Sequence, residues 1–188
     1  MSRVLFLRHA ETEMAGRFCG HSDPELNTTG LAQLGPLVDL LSAEAIDRVY
    51  SSDLVRARST AQAIAAARGV PLELRPALRE CSFGAWEGLH WDQIEQLDPE
   101  YARKWMEAYP HLPAPLGENF EAFEARVLEE VNQIIENNHG PIAVVTHAGV
   151  LRVVLGRLCG SSDHEAWQQT QPYCCVVRYE SEAIGETK

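Results

Sequence analysis

Short apolar runs and longer, spaced apolar stripes alternate along the chain. Val4-Leu5-Phe6-Leu7 is an unbroken run, the mark of a strand buried on both faces. It ends in charge at Arg8-His9. Positions 10–28 contain Gly16, Gly20, Pro24 and Asn27 without a sustained period and predict a loop. From Thr29 to Ser42, apolar residues recur at Leu31, Leu34, Val38 and Leu41, a helical spacing; Pro36 either kinks this helix or marks its start. Val49-Tyr50-Ser51 predicts a short strand. Ser52 and Asp53 offer N-caps for a helix to about Arg68, with Leu54, Ala57, Ala61, Ile64 and Ala65 as its buried stripe.

Gly69-Val70-Pro71 stops that helix, and Leu72-Glu73-Leu74 predicts another strand. Residues 80–118 are loop-rich, with short helices over Asp92–Leu97 and Pro99–Glu107. Asn119 to Asn137 carries Phe120, Phe123, Val127, Val131, Ile134 and Ile135 at amphipathic-helix positions. Ile142 to Thr146 is the clearest strand. A helix over Ala148–Leu158 follows it, and a strand over Cys174–Tyr179 closes the pattern. Strands alternating with helices predict a mostly parallel sheet with helices on both faces. The length of 188 residues fits one domain, 1–188, with a cap segment at about 81–118.

Charge narrows the function. Sixteen Lys and Arg against 27 Asp and Glu give a net charge of −11, which disfavours non-specific binding to nucleic acid or anionic membrane. No apolar run reaches the ~20 residues of a membrane span, and the first residues lack the pattern of a signal peptide. The expectation is a soluble cytoplasmic protein. Five cysteines without CxxC spacing predict reduced, mostly buried thiols and no zinc site.

In open α/β sheets, sites form at the carboxyl ends of strands. Arg8-His9, Arg56 and His147 all fall at such places. Each alone reads as a structural or surface residue; two Arg and two His together can converge on one anion. Arg matches phosphate oxygens with a planar fork that stays charged. A neutral imidazole is a competent nucleophile, and a carboxylic acid can protonate a leaving alkoxide. Two Arg take up charge that a metal would otherwise neutralise, so no metal or other cofactor is called for.

Four blocks carry a resemblance. Leu7-Arg8-His9-Ala10-Glu11-Thr12 resembles the RHG signature of the histidine phosphatase superfamily, the phosphoglycerate mutase-like proteins. Ser51 to Ala61 resembles its second block, Leu78-Arg79-Glu80 with Phe83 to Gly88 the block of the acid, and Val145 to Val150 the block of the second His. The resemblance implies a three-layer αβα sandwich with a mostly parallel central sheet. It implies His9 as the nucleophile that becomes phosphohistidine, Arg8 and Arg56 as phosphate clamps, His147 as the second imidazole, and Glu80 as the acid that later activates water. Two departures stand out. Ala10 replaces the usual Gly, so that position has either a negative φ or some strain. The Asn of the family's ETxxN is absent, and Thr12, Arg17 or a backbone amide is the candidate replacement.

The mutases carry a long insertion after the acid block. Here about thirty residues separate Trp86 from Gly117, which favours a phosphatase. The Gly20-His21-Ser22-Asp23-Pro24-Glu25-Leu26 segment, Phe83 to Gly88 and Gly117 to Phe123 resemble the α-ribazole phosphatases of cobalamin nucleotide-loop assembly. The expected partner is a small-molecule phosphate ester, with α-ribazole 5′-phosphate as one substrate. Phosphoglycerate mutase-like or sugar-bisphosphate activity is the alternative. A catalytically inert phosphate-binding module and a metal hydrolase built on His9, His21, His90 and His147 are the remaining readings. Trp86, His90, Trp91, Trp105 and Tyr109 form either a lid over an aromatic leaving group or a satellite core.

Overall fold

A computed structural model describes residues 3–180. The strands are β1 (Arg3–Arg8), β2 (Arg48–Ser51), β3 (Leu72–Leu74), β4 (Ile142–Thr146) and β5 (Val176–Glu180). They form one five-stranded sheet in the order β3-β2-β4-β1-β5. The pairs β1–β4, β2–β4 and β2–β3 are parallel, and β5 runs antiparallel to β1 at the edge. The helices are α1 (Thr28–Leu40), α2 (Val55–Arg68), α3 (Trp91–Leu97), α4 (Pro99–Ala108), α5 (Phe120–Glu136), α6 (Ala148–Leu158) and α7 (Asp163–Thr170). Among the described residues no helix is long and apolar enough to cross a membrane.

Alternation along the central strands makes the layers. Val4, Phe6, Ile142 and Val144 face one way and pack with Val127, Val131, Leu151 and Ala166 from α5, α6 and α7. Leu5, Leu7, Ala143 and Val145 face the other way and pack with Leu37 of α1 and Ala57, Ala61 and Ile64 of α2. The result is the expected αβα sandwich, with strands apolar on both faces because both are covered. A third cluster gathers Trp86, Ile94 and Ala102 with Phe18, Phe83, Trp91 and Trp105. It lies in the cap segment and reaches Phe18 in the long loop after β1.

Several local expectations are corrected. Leu31 is 60% exposed, and the buried face of α1 runs instead through Gly30 and Leu37 to Leu41. Gly30 sits against the Glu11 backbone, where a Cβ would come within 2.0 Å of the Glu11 oxygen. That contact turns the helix and leaves Leu31 outside. Pro36 lies inside α1, whose cap is Asn27. Neither Ser52 nor Asp53 caps α2. The Asp53 carboxylate is taken by Arg79, and Asp23 from the loop accepts from Val55 N at 2.6 Å instead. β5 starts at Val176, after a reversal in which Cys174 has φ +57°. The cysteines are free as expected but not mostly buried: four are half-buried and Cys159 is exposed.

Candidate active site

The site forms where β2, β4 and β1 end side by side. Arg8 pairs with Thr146 in the sheet register, so the next residues, His9 and His147, emerge together. His9 N donates to the Thr146 carbonyl and Ser52 N to the Val145 carbonyl. The two imidazoles meet edge to face with centroids 5.1 Å apart. Both are buried, at 7% and 1% exposure.

The hydrogen bonds set the tautomers. His9 Nδ1 lies 2.7 Å from the Ala10 carbonyl, which only accepts, so Nδ1 carries the proton and Nε2 keeps its lone pair. His147 Nε2 lies 2.9 Å from Ser52 Oγ, which also accepts from Leu54 N. With Leu54 N on one lone pair, we assign the hydroxyl proton to Nε2 and hence the His147 proton to Nδ1. That atom is buried and has no partner. Burial, and after it the Arg56 charge, hold His9 well below the ordinary imidazole value of 6.5. Burial, then Arg56 and His9, do the same to His147. Both rings are therefore neutral at neutral pH.

Two guanidinium groups border the imidazoles. Arg56, in the first turn of α2, is 1% exposed. It donates to the carbonyls of Ser22, Gly20 and Cys19 in the long loop, at 2.7, 2.7 and 3.3 Å. Arg8 donates through Nη1 to the carbonyls of Thr170, at 2.9 Å, and Gln171. The Nε of each Arg is buried without a partner. Among the described residues five buried side-chain polar atoms lack a partner, and Arg8 Nε, Arg56 Nε and His147 Nδ1 are three of them. Natural interiors pair nearly all such groups, so these three nitrogens stand out as donors still open to an acceptor.

Glu80 follows the turn after β3 and is 8% exposed. Its Oε1 accepts from Cys81 N and its Oε2 from Gly149 N, both at 2.9 Å. A Cβ at Gly149 would stand 2.1 Å from Glu80 Oε1 and would displace the carboxylate. Arg126 of α5 holds the backbone behind it, donating to the carbonyls of Ala77, Arg79 and Glu80, and is itself gripped by Glu118.

Of the residues singled out in the sequence, the structure brings together Arg8, His9, Arg56, Glu80 and His147. Thr12 and Arg17 are engaged elsewhere. Thr12 is buried and its hydroxyl accepts from Met14 N in its own turn. Arg17 donates to the Gly88 carbonyl. Ala10 is not among the positive-φ residues, so the missing glycine brings no backbone strain. Its amide donates to Thr60 Oγ1 instead. Sequence reasoning missed Ser52, Arg126 and the Thr170–Gln171 carbonyls, which act through other groups and leave no pattern.

Beside Glu80 and Gly149 opens a cavity of about 700 Å³ between the cap and helices α5, α6 and α7. Trp105, Tyr109, Phe120, Trp167 and Arg152 are among its walls. The two readings of the cap aromatics thus divide. Trp86 and Trp91 belong to the satellite core, Tyr109 faces the cavity, and Trp105 does both. Among the described residues no cluster of His, Cys, Asp and Glu fits a metal ion.

Residues 4–187 match the family model of the Histidine phosphatase superfamily (branch 1). The chain is 34% identical over 168 residues to an adenosylcobalamin/alpha-ribazole phosphatase of Escherichia coli (strain K12), covering 88% of this chain and 83% of that protein. It is 33% identical to a metal-independent phosphoserine phosphatase of Arabidopsis thaliana, over 86% of this chain and 71% of that one. The alpha-ribazole phosphatase from Shigella flexneri superposes with a TM-score of 0.86 at 31% identity, over 96% of this chain and 91% of that one.

Proposed function

The chain belongs to the histidine phosphatase superfamily, and from that premise we propose a metal-independent phosphomonoesterase that passes phosphate from a small-molecule ester through His9 to water. The observation that carries the proposal is the set of unpartnered nitrogens, Arg8 Nε, Arg56 Nε and His147 Nδ1, beside a His9 whose Nε2 is free. The phosphoryl oxygens take the three donors. His9 Nε2 attacks phosphorus, the P–O bond to the alcohol breaks, and Glu80 gives the departing oxygen a proton. Glu80, now a carboxylate, takes a proton from water as that water attacks phosphorus and the P–N bond breaks. Phosphate leaves and both residues return to their starting states. The donors are strongest on the charge that develops in transfer, within a buried site.

The leaving group is assigned to the cavity beside Glu80. Its size suits a small ligand, and its aromatic walls suit a flat heterocycle. With the names of the relatives, this supports α-ribazole 5′-phosphate as the substrate. One observation favours a second reading, an ester whose alcohol carries a carboxylate or another phosphate. Arg152 lines the cavity, stacks 3.9 Å over Trp167 and bonds Thr170 Oγ1, yet has no carboxylate partner among the described residues. The five free thiols support a reducing, cytoplasmic setting.

The test is phosphate release by exhaustively chelated protein from α-ribazole 5′-phosphate, phosphoserine, 3-phosphoglycerate and p-nitrophenyl phosphate. The proposal expects turnover without added metal, with kcat/KM highest for α-ribazole 5′-phosphate. A preference for the two carboxylate-bearing esters selects the second reading. Turnover only after Mg²⁺ or Zn²⁺ is restored contradicts the mechanism.

A further inference from the structure

The segment from the end of α7 to β5 wraps the Arg8–His9 dipeptide on several sides. The Thr170 and Gln171 carbonyls hold Arg8 Nη1. The Cys175 carbonyl accepts from Arg8 N at 3.1 Å, and Cys174 N donates to the His9 carbonyl at 3.4 Å. Between these contacts stands Tyr173. Its ring lies under the Arg8 guanidinium, 4.1 Å from Cζ to the centroid. The same ring meets His9 with centroids 5.7 Å apart at 52°. His9 is thereby flanked by His147 on one contact and Tyr173 on the other.

We propose that Tyr173 is a positioning residue for phosphoryl transfer, holding the Arg8 guanidinium by its π face. The inference rests on the reading of Arg8 as a phosphate clamp. A guanidinium has five N–H groups in a planar fork. The two carbonyls occupy the Nη1 end, and the Nε edge is left without a partner. Nothing in the hydrogen bonds alone stops the plane from rotating about the Nη1 anchor. An aromatic face against the guanidinium plane does, and it also offsets the loss of water around a half-buried cation. The phenol oxygen makes no hydrogen bond among the described residues, so the ring and not the hydroxyl carries the role. The left-handed backbone of Cys174, φ +57°, turns the chain so that it presents Tyr173 and then joins β5.

The experiment is a double-mutant cycle on kcat/KM for p-nitrophenyl phosphate and an alkyl phosphate. Tyr173→Leu keeps apolar bulk and removes the π face. It is expected to lower kcat/KM about tenfold for both esters and to raise the inhibition constant of orthovanadate by a similar factor. Tyr173→Phe restores kcat/KM to within about twofold of wild type. In an Arg8→Gln background, Tyr173→Leu adds little further loss. The rise in melting temperature caused by orthovanadate gives the same cycle where turnover is too slow to measure. Equal losses in the wild-type and Arg8→Gln backgrounds would reduce Tyr173 to a packing role and overturn the inference, as would a Phe variant as impaired as Leu. Wild-type kcat/KM in Arg8→Gln itself would overturn the clamp reading and the inference together.

Discussion

His9 and His147 are kept neutral by the surroundings that also bury them. Because kcat/KM reports groups of the free enzyme, its acid limb, after correction for ionisation of the substrate, is expected well below pH 6.5; a limb at 6.5 or above contradicts the buried, neutral nucleophile. Stability follows the same sign. The unfolded imidazoles bind protons below 6.5 that the folded ones reject, so stability is complete above pH 6.5 and declines as pH falls below it. Chemical denaturation at pH 7.5 and 5.5 measures this, and His147→Gln should flatten the dependence. Glu80 answers to a different measurement. Glu80→Gln removes a proton transfer typically worth ~10²–10⁴-fold, so it should slow alkyl esters far more than p-nitrophenyl phosphate. Equal losses would remove Glu80 from that role. Arg8, His9, Arg56 and His147 were legible because each is a chemically distinctive group at a strand or helix end, whereas Glu80 stood out only through the resemblance of its block. Ser52 was not: a serine that sets a tautomer reads like any cap candidate until His147 is placed beside it.

At the level of elements, the loop after β1 is held by a residue far along the chain. Glu87 accepts from the backbone amides of Gly20, His21, Ser22 and Phe83, at 3.0, 2.9, 3.1 and 2.9 Å. The carbonyls of that same loop hold Arg56. Burial raises the Glu87 pKa, but these amides outweigh it and the net displacement is downward from 4.5. Its stabilisation is therefore complete above pH 4.5 and lost as pH falls through the lowered value. Glu87→Ala is expected to free the loop and lower kcat/KM by about tenfold or more through Arg56, with several hydrogen bonds lost at once. Unchanged kinetics would show that Arg56 keeps its place without the loop. Among the helices, α5 and α2 could be read from their stripes, and α2 stops at Gly69 as expected. The phase of α1 could not, because the close approach of Gly30 to the Glu11 backbone is a tertiary contact. Helix α7 was missed because Ala166 is its only buried apolar residue. Its capping box, Ser162 with Glu165, was the available signal. The Thr170 and Gln171 carbonyls behind Arg8 went unseen with it.

Over the whole molecule, the −11 charge opposes an anionic substrate, while Arg8 and Arg56 are the groups proposed to attract it at contact. Salt screens over ~10 Å at 0.1 M and so weakens the distant repulsion more than the buried attraction. kcat/KM for a dianionic ester is expected to hold steady or rise between low and moderate NaCl. A steep fall without chloride competition would reveal a positive approach surface. The sheet supplies the rest of the arrangement: helices cover both faces, and the ends of three neighbouring strands place His9, His147 and Ser52. The central claim is that phosphate rests on His9 between two displacements. Its most direct test is rapid-quench trapping during turnover, followed by mass-spectrometric mapping of the phosphorylated peptide. The account predicts an acid-labile, base-stable phosphoryl group on His9, absent from His9→Ala. A phosphoryl group on any other residue, or steady turnover by His9→Ala at the wild-type rate, would contradict it.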